Sequence, residues 1–189
     1  MKSKNSWIKH SSKAIFTHPR LTIMEDSVEL PDGTRTNYLL YSEGSGYVTL
    51  IAIRSNGDLA MLSEYSYPLD QDILQFPEGR IDDGESAEVS AHRELKEEIG
   101  ISAGNLEEIG TSPRSHRRDP GLQHVFIATD LLDGDGTHSG DAEEQGLEVV
   151  WLPETEVTRR IACGEIFQKN TLAAWAMYCA RLTTMSGRS

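Results

Sequence analysis

Residues Gly79 to Ile101 read GRIDDGESAEVSAHRELKEEIGI, and this segment is the most informative part of the chain about its fold. Ser86 suits a helix N-cap, because its hydroxyl can accept a hydrogen bond from the first turn, and Gly100 suits the left-handed residue that ends many helices. Between these positions the apolar residues recur every four residues, at Ala87, Ala91, Leu95 and Ile99. The stretch therefore predicts a loop followed by a helix over residues 86–99 whose apolar side faces the core.

Three glutamates lie along one edge of this predicted helix. At about 100° per residue, Glu94, Glu97 and Glu98 fall within an arc of roughly 100° that borders the apolar side. Like charges three and four residues apart repel each other, so the cluster needs a nearby cation. The helix alone leaves two interpretations open. The carboxylates bind a divalent cation such as Mg²⁺ or Mn²⁺, or they form a solvated acidic face paired with Arg93 and Lys96.

The spacing of the whole stretch resembles the Nudix box, which reads G, five residues, E, seven residues, R-E-U-x-E-E-x-G-U, where U is aliphatic. Its fixed positions are filled here by Gly79, Glu85, Arg93, Glu94, Glu97, Glu98 and Gly100. A chance match to these positions is expected on the order of once in a billion starting points. The resemblance implies the Nudix fold and the hydrolysis of a nucleoside diphosphate linked to another moiety.

The resemblance also implies roles for the acidic residues. Glu94 and Glu98 would be metal ligands, and Glu97 would be either a ligand or the group that orients the attacking water. A backbone carbonyl at Glu78 or Gly79 would complete the metal shell. Such ions are needed because a pyrophosphate is a polyanion that repels a hydroxide nucleophile.

Three further box positions are expected to be structural. By the same resemblance Glu85 and Arg93 would pair and fix the loop on the helix. Gly79 suits a place where the backbone needs permissive angles or a close approach to phosphate. Together with Gly100 these residues form the predicted frame of the site.

Strand signals surround the helix. The runs 21–30 and 34–41 flank the turn residues Pro31-Asp32-Gly33 and predict a hairpin. The runs 47–53 and 59–65 flank Asn56-Gly57 and predict a second hairpin. Further strands are expected at 73–76, 106–111, 123–130 and 147–152, with loops at 112–121 and 133–146 and a last helix at 167–185.

This order of elements predicts the α+β class, an α/β/α sandwich with a mixed central sheet and an N-terminal antiparallel hairpin extension. Residues 1–45 are expected to form the N-terminal β extension as part of the same unit. Residues 46–189 are expected to form the Nudix hydrolase domain.

Two features resemble the ADP-ribose and ADP-sugar pyrophosphatase branch of the family. The N-terminal hairpin around residues 29–33 resembles the extra sheet through which these enzymes dimerise, which implies a homodimer. The segment 62–69, followed by Phe76-Pro77-Glu78-Gly79, is similar to that branch's strand leading into P-x-G. The chain departs from the branch at Ser66, where an arginine is common, and at Glu78, where a small residue is usual.

The predicted activity is therefore Mg²⁺-dependent hydrolysis of ADP-ribose or a related nucleotide sugar, with Mn²⁺ as an alternative ion. The products would be a nucleoside monophosphate and a sugar phosphate. Two alternatives stay open: a pyrophosphatase for another nucleotide sugar such as GDP-mannose, and a catalytically silent Nudix domain that binds a nucleotide as a sensor.

Candidate substrate contacts come from outside the box. Residues 114–118 read Arg-Ser-His-Arg-Arg, the densest basic cluster in an acidic chain, and they could contact phosphates or instead pair with neighbouring acids. The predicted substrate-binding residues are Arg114, Arg117, Arg118, Arg54 and Trp7. Similar enzymes use a downstream loop glutamate as a further ligand or base, and Glu143 or Glu144 would fill that role here.

Charge and composition argue against other classes. The chain has 189 residues, 18 Lys and Arg against 30 Asp and Glu, and a net charge of −12, which disfavours nonspecific binding to nucleic acid or an anionic membrane. Only two cysteines are present, so a disulfide framework is not expected. No run of about eighteen apolar residues occurs. We therefore expect a cytoplasmic protein that binds neither nucleic acid nor membrane.

Overall fold

The computed structural model describes residues 5–133 and 146–186, and these residues form ten strands and three helices. In chain order the elements are β1 (Ile8–His18), β2 (Leu21–Glu29), β3 (Arg35–Ser42), β4 (Gly46–Ala52), β5 (Asp58–Ser66), β6 (Gln71–Gln75), β7 (Glu78–Arg80), α1 (Ala87–Ile99), β8 (Ile101–Ser115), β9 (Asp119–Asp133), β10 (Glu148–Pro153), α2 (Glu154–Ala162) and α3 (Lys169–Ser186).

The N-terminal strands form a sheet of their own in the order β1-β2-β3, with both pairs antiparallel. Its β2–β3 hairpin turns at Gly33, which has a φ of 84°, as the Pro-Asp-Gly signal predicts. The third strand, β1, is absent from the sequence prediction. All eleven of its residues are exposed, so it carries no alternation of buried and exposed side chains that would mark a strand.

Two further sheets form the body of the fold. The order β7-β4-β9-β8 gives a mixed sheet, in which β4 and β9 are parallel, and β10-β5-β6 gives an antiparallel sheet. The predicted mixed central sheet is confirmed, but the predicted hairpin of β4 with β5 is wrong. Strand β4 is paired along both edges, by β7 and β9. Among the described residues, a single bridge between Ile53, just after β4, and Leu59 joins this part of the chain to β5.

Helices cover both faces of these sheets. Side chains alternate along β4, so that Val48, Leu50 and Ala52 pack in one buried cluster with the apolar residues of α1. Ile51 points the other way, into a second cluster with residues of α2 and α3. This α/β/α layering places the acidic helix on one face and the C-terminal helices on the other. None of the described helices is long and apolar enough to cross a membrane.

The segment expected as a loop at 112–121 is mostly strand. Strands β8 and β9 pair as far as Ser115 and Asp119, which leaves only residues 116–118 as the turn. The proline and glycine residues that indicated a loop are accommodated by a register irregularity between Pro113 and Ser115. The basic cluster is therefore held at the tip of a long hairpin.

Leu50 gives a direct test of this layering. It is fully buried between α1 and the central sheet, so Leu50→Ala should lower the free energy of unfolding by about 2–5 kcal/mol, measured by urea denaturation. Leu182 in α3 is 38% exposed, so Leu182→Ala serves as the matched control and should lose far less. Equal losses in the two variants would contradict the assigned core.

Candidate active site

Helix α1 displays the acidic residues of the box, and its ends are fixed as the sequence predicts. The Ser86 hydroxyl accepts a hydrogen bond from the Val89 amide at 3.3 Å. Gly100 takes a left-handed conformation, and its amide donates to the Lys96 carbonyl at 3.1 Å. Glu94 and Glu98, one turn apart, are each only 6% exposed. The helix therefore holds two carboxylates largely away from bulk water.

The Glu94 carboxylate lies directly against the backbone of Gly79. A Cβ atom built on Gly79 would stand 1.9 Å from the Glu94 carboxyl carbon and 1.9 Å from its Oε1. No other amino acid fits there unless the glutamate moves. The first glycine of the box is thus a point of close approach between strand β7 and helix α1.

Arg93 joins the loop to the helix. Its Nη2 atom donates to the Arg80 carbonyl at 2.8 Å and to Glu85 Oε2 at 3.1 Å, so both ends of the loop are tied to one guanidinium. Hydrogen bonds from Arg93 and then from Ser90 lower the pKa of Glu85 to about 2. The sequence interpretation of Glu85 and Arg93 as a structural pair agrees with this geometry.

The same guanidinium also faces the acidic edge. Its Nη1 atom donates to Glu94 Oε1 at 2.6 Å and to Glu97 Oε2 at 2.9 Å. The side chain of Glu97 is 34% exposed, against 8% for the side chain of Glu94. The two interpretations of the acidic edge are therefore not exclusive, since Arg93 pairs with part of it while Glu94 and Glu98 remain buried.

The oxygen atoms of Glu94, Glu97 and Glu98 suit a hard divalent cation. They are all carboxylate oxygens, and the close contact at Gly79 brings a backbone strand beside Glu94, which is the kind of oxygen-lined cradle that Mg²⁺ and Mn²⁺ use. Across residues 5–133 and 146–186, no three His, Cys, Asp or Glu side chains converge on one point. Backbone carbonyls, water and substrate phosphates would complete the shell, as is usual for Mg²⁺.

Glu78 points away from this edge. It lies opposite Thr49 in the pairing of β7 with β4, on the α3 face of the sheet, whereas Gly79 lies opposite Val48 on the α1 face. Its carboxylate accepts hydrogen bonds from Gln168 and Asn170. Burial raises the pKa of Glu78 above its ordinary value, and the hydrogen bond from Asn170 counters the shift. The Glu78 side chain therefore lies away from the acidic edge, and the metal role expected of a backbone carbonyl at Glu78 or Gly79 stays a prediction.

Sequence reasoning missed the polar network around Glu78. Gln123 donates from Nε2 to the Thr49 hydroxyl at 2.9 Å and to the Asn170 carbonyl at 2.7 Å, and it is 1% exposed. Ser112 donates to Gln123 Oε1 at 2.8 Å. The available signal was weak: isolated polar residues, such as Thr49 and Gln123, within otherwise apolar strands.

The arginines at the tip of the β8–β9 hairpin lie in two different environments. Arg114 forms ion pairs with Glu43 and with Asp119, the latter at 3.1 Å, and its guanidinium lies 3.9 Å from the centre of the Tyr47 ring. These contacts already neutralise Arg114. Tyr47 pairs with Arg80 of β7, so this hairpin and the box loop lie toward the same end of the central sheet.

Arg117, Arg118 and Trp7 come together at one pocket of about 350 Å³. The Tyr38 ring lines this pocket. It meets the Trp7 ring edge to face with a centroid distance of 5.3 Å, and the Arg118 guanidinium carbon lies 4.6 Å from the centre of the Tyr38 ring. Arg118 also donates to the Leu39 carbonyl at 2.9 Å. The N-terminal sheet and the hairpin tip thus share a surface with aromatic and cationic groups.

The remaining predicted residues lie elsewhere. Arg54 follows β4 at the opposite end of the central sheet, where its guanidinium lies 3.6 Å from the centre of the Trp151 ring. It borders a separate cavity of about 630 Å³. Glu143 and Glu144 fall outside the described residues, so their role as distal ligand or base stays a prediction.

Comparisons with known proteins agree with the geometry. The model of the NUDIX domain matches residues 46–175. An ADP-ribose pyrophosphatase of Bacillus subtilis is 26% identical over 87% of this chain and 88% of its own length. An ADP-ribose pyrophosphatase of Mycobacterium tuberculosis is 29% identical over 86% and 78%.

A solved structure described as an ADP compounds hydrolase shares the fold, with a TM-score of 0.83 over 98% of both chains at 21% identity. The matched NUDIX region covers more than half of the chain and contains the whole of α1 with its carboxylates. The chain therefore belongs to the Nudix family.

Proposed function

We propose that this protein is a Nudix hydrolase that uses Mg²⁺, with Mn²⁺ as an alternative, to cleave the pyrophosphate bond of ADP-ribose or a related nucleoside diphosphate sugar. The products are a nucleoside monophosphate and a sugar phosphate. The observation that carries the proposal is the burial of Glu94 and Glu98 on α1, with Glu94 packed against Gly79.

The chemistry follows from that arrangement. A divalent ion held there would supply charge that neutralises the pyrophosphate and would lower the pKa of a bound water molecule. Glu94 and Glu98 would hold the cation, and the more exposed Glu97 would orient the attacking water. Arg93 keeps the loop and the helix in register by bonding to Arg80 and to the acidic edge. Each of these residues therefore positions charge around the scissile phosphate.

The substrate class is supported by both relatives reported above, which are named ADP-ribose pyrophosphatases. The pocket at Trp7 supports it too, because an aromatic ring beside arginines suits a base and phosphate groups. A different nucleotide sugar such as GDP-mannose is the second candidate. It is supported by Ser66 and by the basic loop at residues 114–118, where the chain departs from the pattern of the ADP-ribose branch.

A catalytically silent nucleotide sensor is the third candidate. It is disfavoured because all the acidic positions of the box are filled. Turnover by the purified protein separates a hydrolase from such a sensor.

We place the protein in the cytoplasm. Its two cysteines, Cys163 and Cys179, are both free thiols, which suits a reducing compartment.

A homodimer built through the N-terminal sheet forms part of the proposal. Strands β1 and β3 of this sheet expose large apolar side chains, which is unusual for a monomer, at Ile8, Ile15, Phe16 and Leu39, each about half exposed. Burying them against a second copy would remove apolar surface from water.

The catalytic part of the proposal is tested with Glu98→Gln. Removing the carboxylate charge should lower kcat for ADP-ribose by at least about a hundredfold in the presence of Mg²⁺, measured by chromatography of AMP and ribose 5-phosphate. Glu88 is exposed in the first turn of the same helix, so Glu88→Gln is the matched control and should retain activity. Full activity in Glu98→Gln would refute the assignment of this carboxylate.

The hairpin tip is tested by replacing Arg117 and Arg118 with alanine. If the tip contacts substrate phosphates, kcat/KM should fall about tenfold or more, mainly through KM, because charge-assisted hydrogen bonds are lost. Arg181 is half-exposed on α3 and pairs with Glu107, so Arg181→Ala controls for a general loss of positive charge. Unchanged kinetics in the double variant would exclude this contact.

The dimer is tested by light scattering. The intact protein should have twice the mass of one chain, and Phe16→Glu should shift it toward the monomer because a charge cannot be buried unpaired in the interface. A wild-type protein that stays monomeric at micromolar concentration would rule out the dimer.

A further inference from the structure

Strand β7 is only three residues long, yet it contacts both the acidic helix α1 and the C-terminal helix α3. Its consecutive residues Glu78 and Gly79 point to opposite faces of the central sheet. Gly79 lies against the Glu94 carboxylate of α1, and Glu78 reaches the start of α3. Any shift of Glu78 along its own face therefore moves the backbone that Glu94 rests on.

The start of α3 holds both oxygens of the Glu78 carboxylate. Gln168 Nε2 donates to Oε1 at 2.9 Å, and Asn170 Nδ2 donates to Oε2 at 3.0 Å. The Thr49 hydroxyl lies 3.5 Å from Oε2 on the neighbouring strand. Two side-chain amides thus fix the orientation of one charged group, and we refer to Gln168 and Asn170 as the amide pair.

The amide pair is itself held in place. Gln168 Oε1 accepts a hydrogen bond from the Thr171 amide at 2.6 Å, and the backbone carbonyl of Asn170 accepts one from Gln123 at 2.7 Å. The Thr171 hydroxyl in turn accepts a hydrogen bond from the Phe76 amide at 3.0 Å. The segment leading into β7 is therefore fastened to the first turn of α3 at both Phe76 and Glu78.

We propose that Gln168 and Asn170 are positioning residues of this enzyme, which act through Glu78 to hold Gly79 against Glu94 and so set the affinity of α1 for its divalent cation. The proposal rests on the metal-dependent activity proposed above. It assigns a functional role to the beginning of α3, which lies on the face of the sheet opposite the acidic helix.

The proposal predicts that the affinity for the cation depends on having one amide and one carboxylate at positions 78 and 170. In the native pair an amide donates to a carboxylate. Asn170→Asp replaces the donating amide with a second carboxyl group, so that Glu78 loses this donor and, where both groups are ionised, is repelled, which shifts the backbone of β7. Glu78→Gln combined with Asn170→Asp restores one amide and one carboxylate at the same place, with the same total charge as the native pair.

The experiment measures Mn²⁺ binding to the full chain by titration calorimetry without substrate, and the Mg²⁺ concentration that gives half-maximal turnover. Asn170→Asp should weaken Mn²⁺ binding about 10- to 100-fold, the usual effect of disturbing the residues behind a metal ligand. The double variant should recover to within a few fold of the native protein. The recovery distinguishes positioning from a loss caused by the aspartate alone.

Asn56 offers a matched control. Its Nδ2 atom donates to Asp58 Oδ2 at 2.8 Å in an exposed turn, so Asn56→Asp creates the same kind of clash of carboxylates away from β7. It should leave Mn²⁺ affinity unchanged. If Asn170→Asp does not fold, as judged by circular dichroism, Gln168→Ala removes the other donor and should also weaken Mn²⁺ binding.

Native Mn²⁺ affinity in Asn170→Asp, or a double variant no better than Asn170→Asp, would overturn the proposal. Failure of the hydrolase function looks different. A wild-type protein that binds Mn²⁺ without turning over any nucleotide sugar would end the proposed function, and the role of the amide pair would still be decided by the binding measurements. A wild-type protein that binds no Mn²⁺ would overturn both.

Discussion

The close packing of the Glu94 carboxylate against the backbone of Gly79 sets the geometry of the site. It requires strand and helix to approach so closely that a single methyl group would collide. A carboxylate buried in that way needs compensating charge, and Arg93 supplies part of it while also bonding to the Arg80 carbonyl. The box loop, strand β7 and helix α1 are thus held together by contacts with Glu94 and its partner Arg93.

The parts of the fold that were predicted correctly are those set by local patterns. The caps at Ser86 and Gly100 and the β2–β3 hairpin each depend on a few adjacent residues. The choice of which strands pair in a sheet does not depend on adjacent residues alone. The Asn56-Gly57 turn indicated a hairpin, but the edges of β4 are taken by β7 and β9, and no local signal reports that competition. Strand β1 escaped prediction because exposure on both faces removes its periodicity.

The site divides in the same way. The box fixed the identities and spacing of its own residues, including the pairing of Arg93 with Glu85. Arg114 could not be assigned from sequence, because its partner Glu43 is distant along the chain and only the fold brings them together. The amides of Gln168 and Asn170 were invisible for the same reason, since nothing in the sequence of α3 indicates that its first turn reaches Glu78.

The parallel pairing of β4 with β9 joins two strands that lie on either side of the catalytic motif in the sequence. It pairs Gly46 with Leu122, and a Cβ on Gly46 would lie 2.5 Å from the Leu122 carbonyl oxygen, so this register requires a glycine at position 46. All of α1 lies within the segment that this pairing encloses. Non-local closure is slow compared with helix formation. The motif is complete in the growing chain at Ile101, before β9 has been synthesised, so it exists before the strand pairing that builds the site around it.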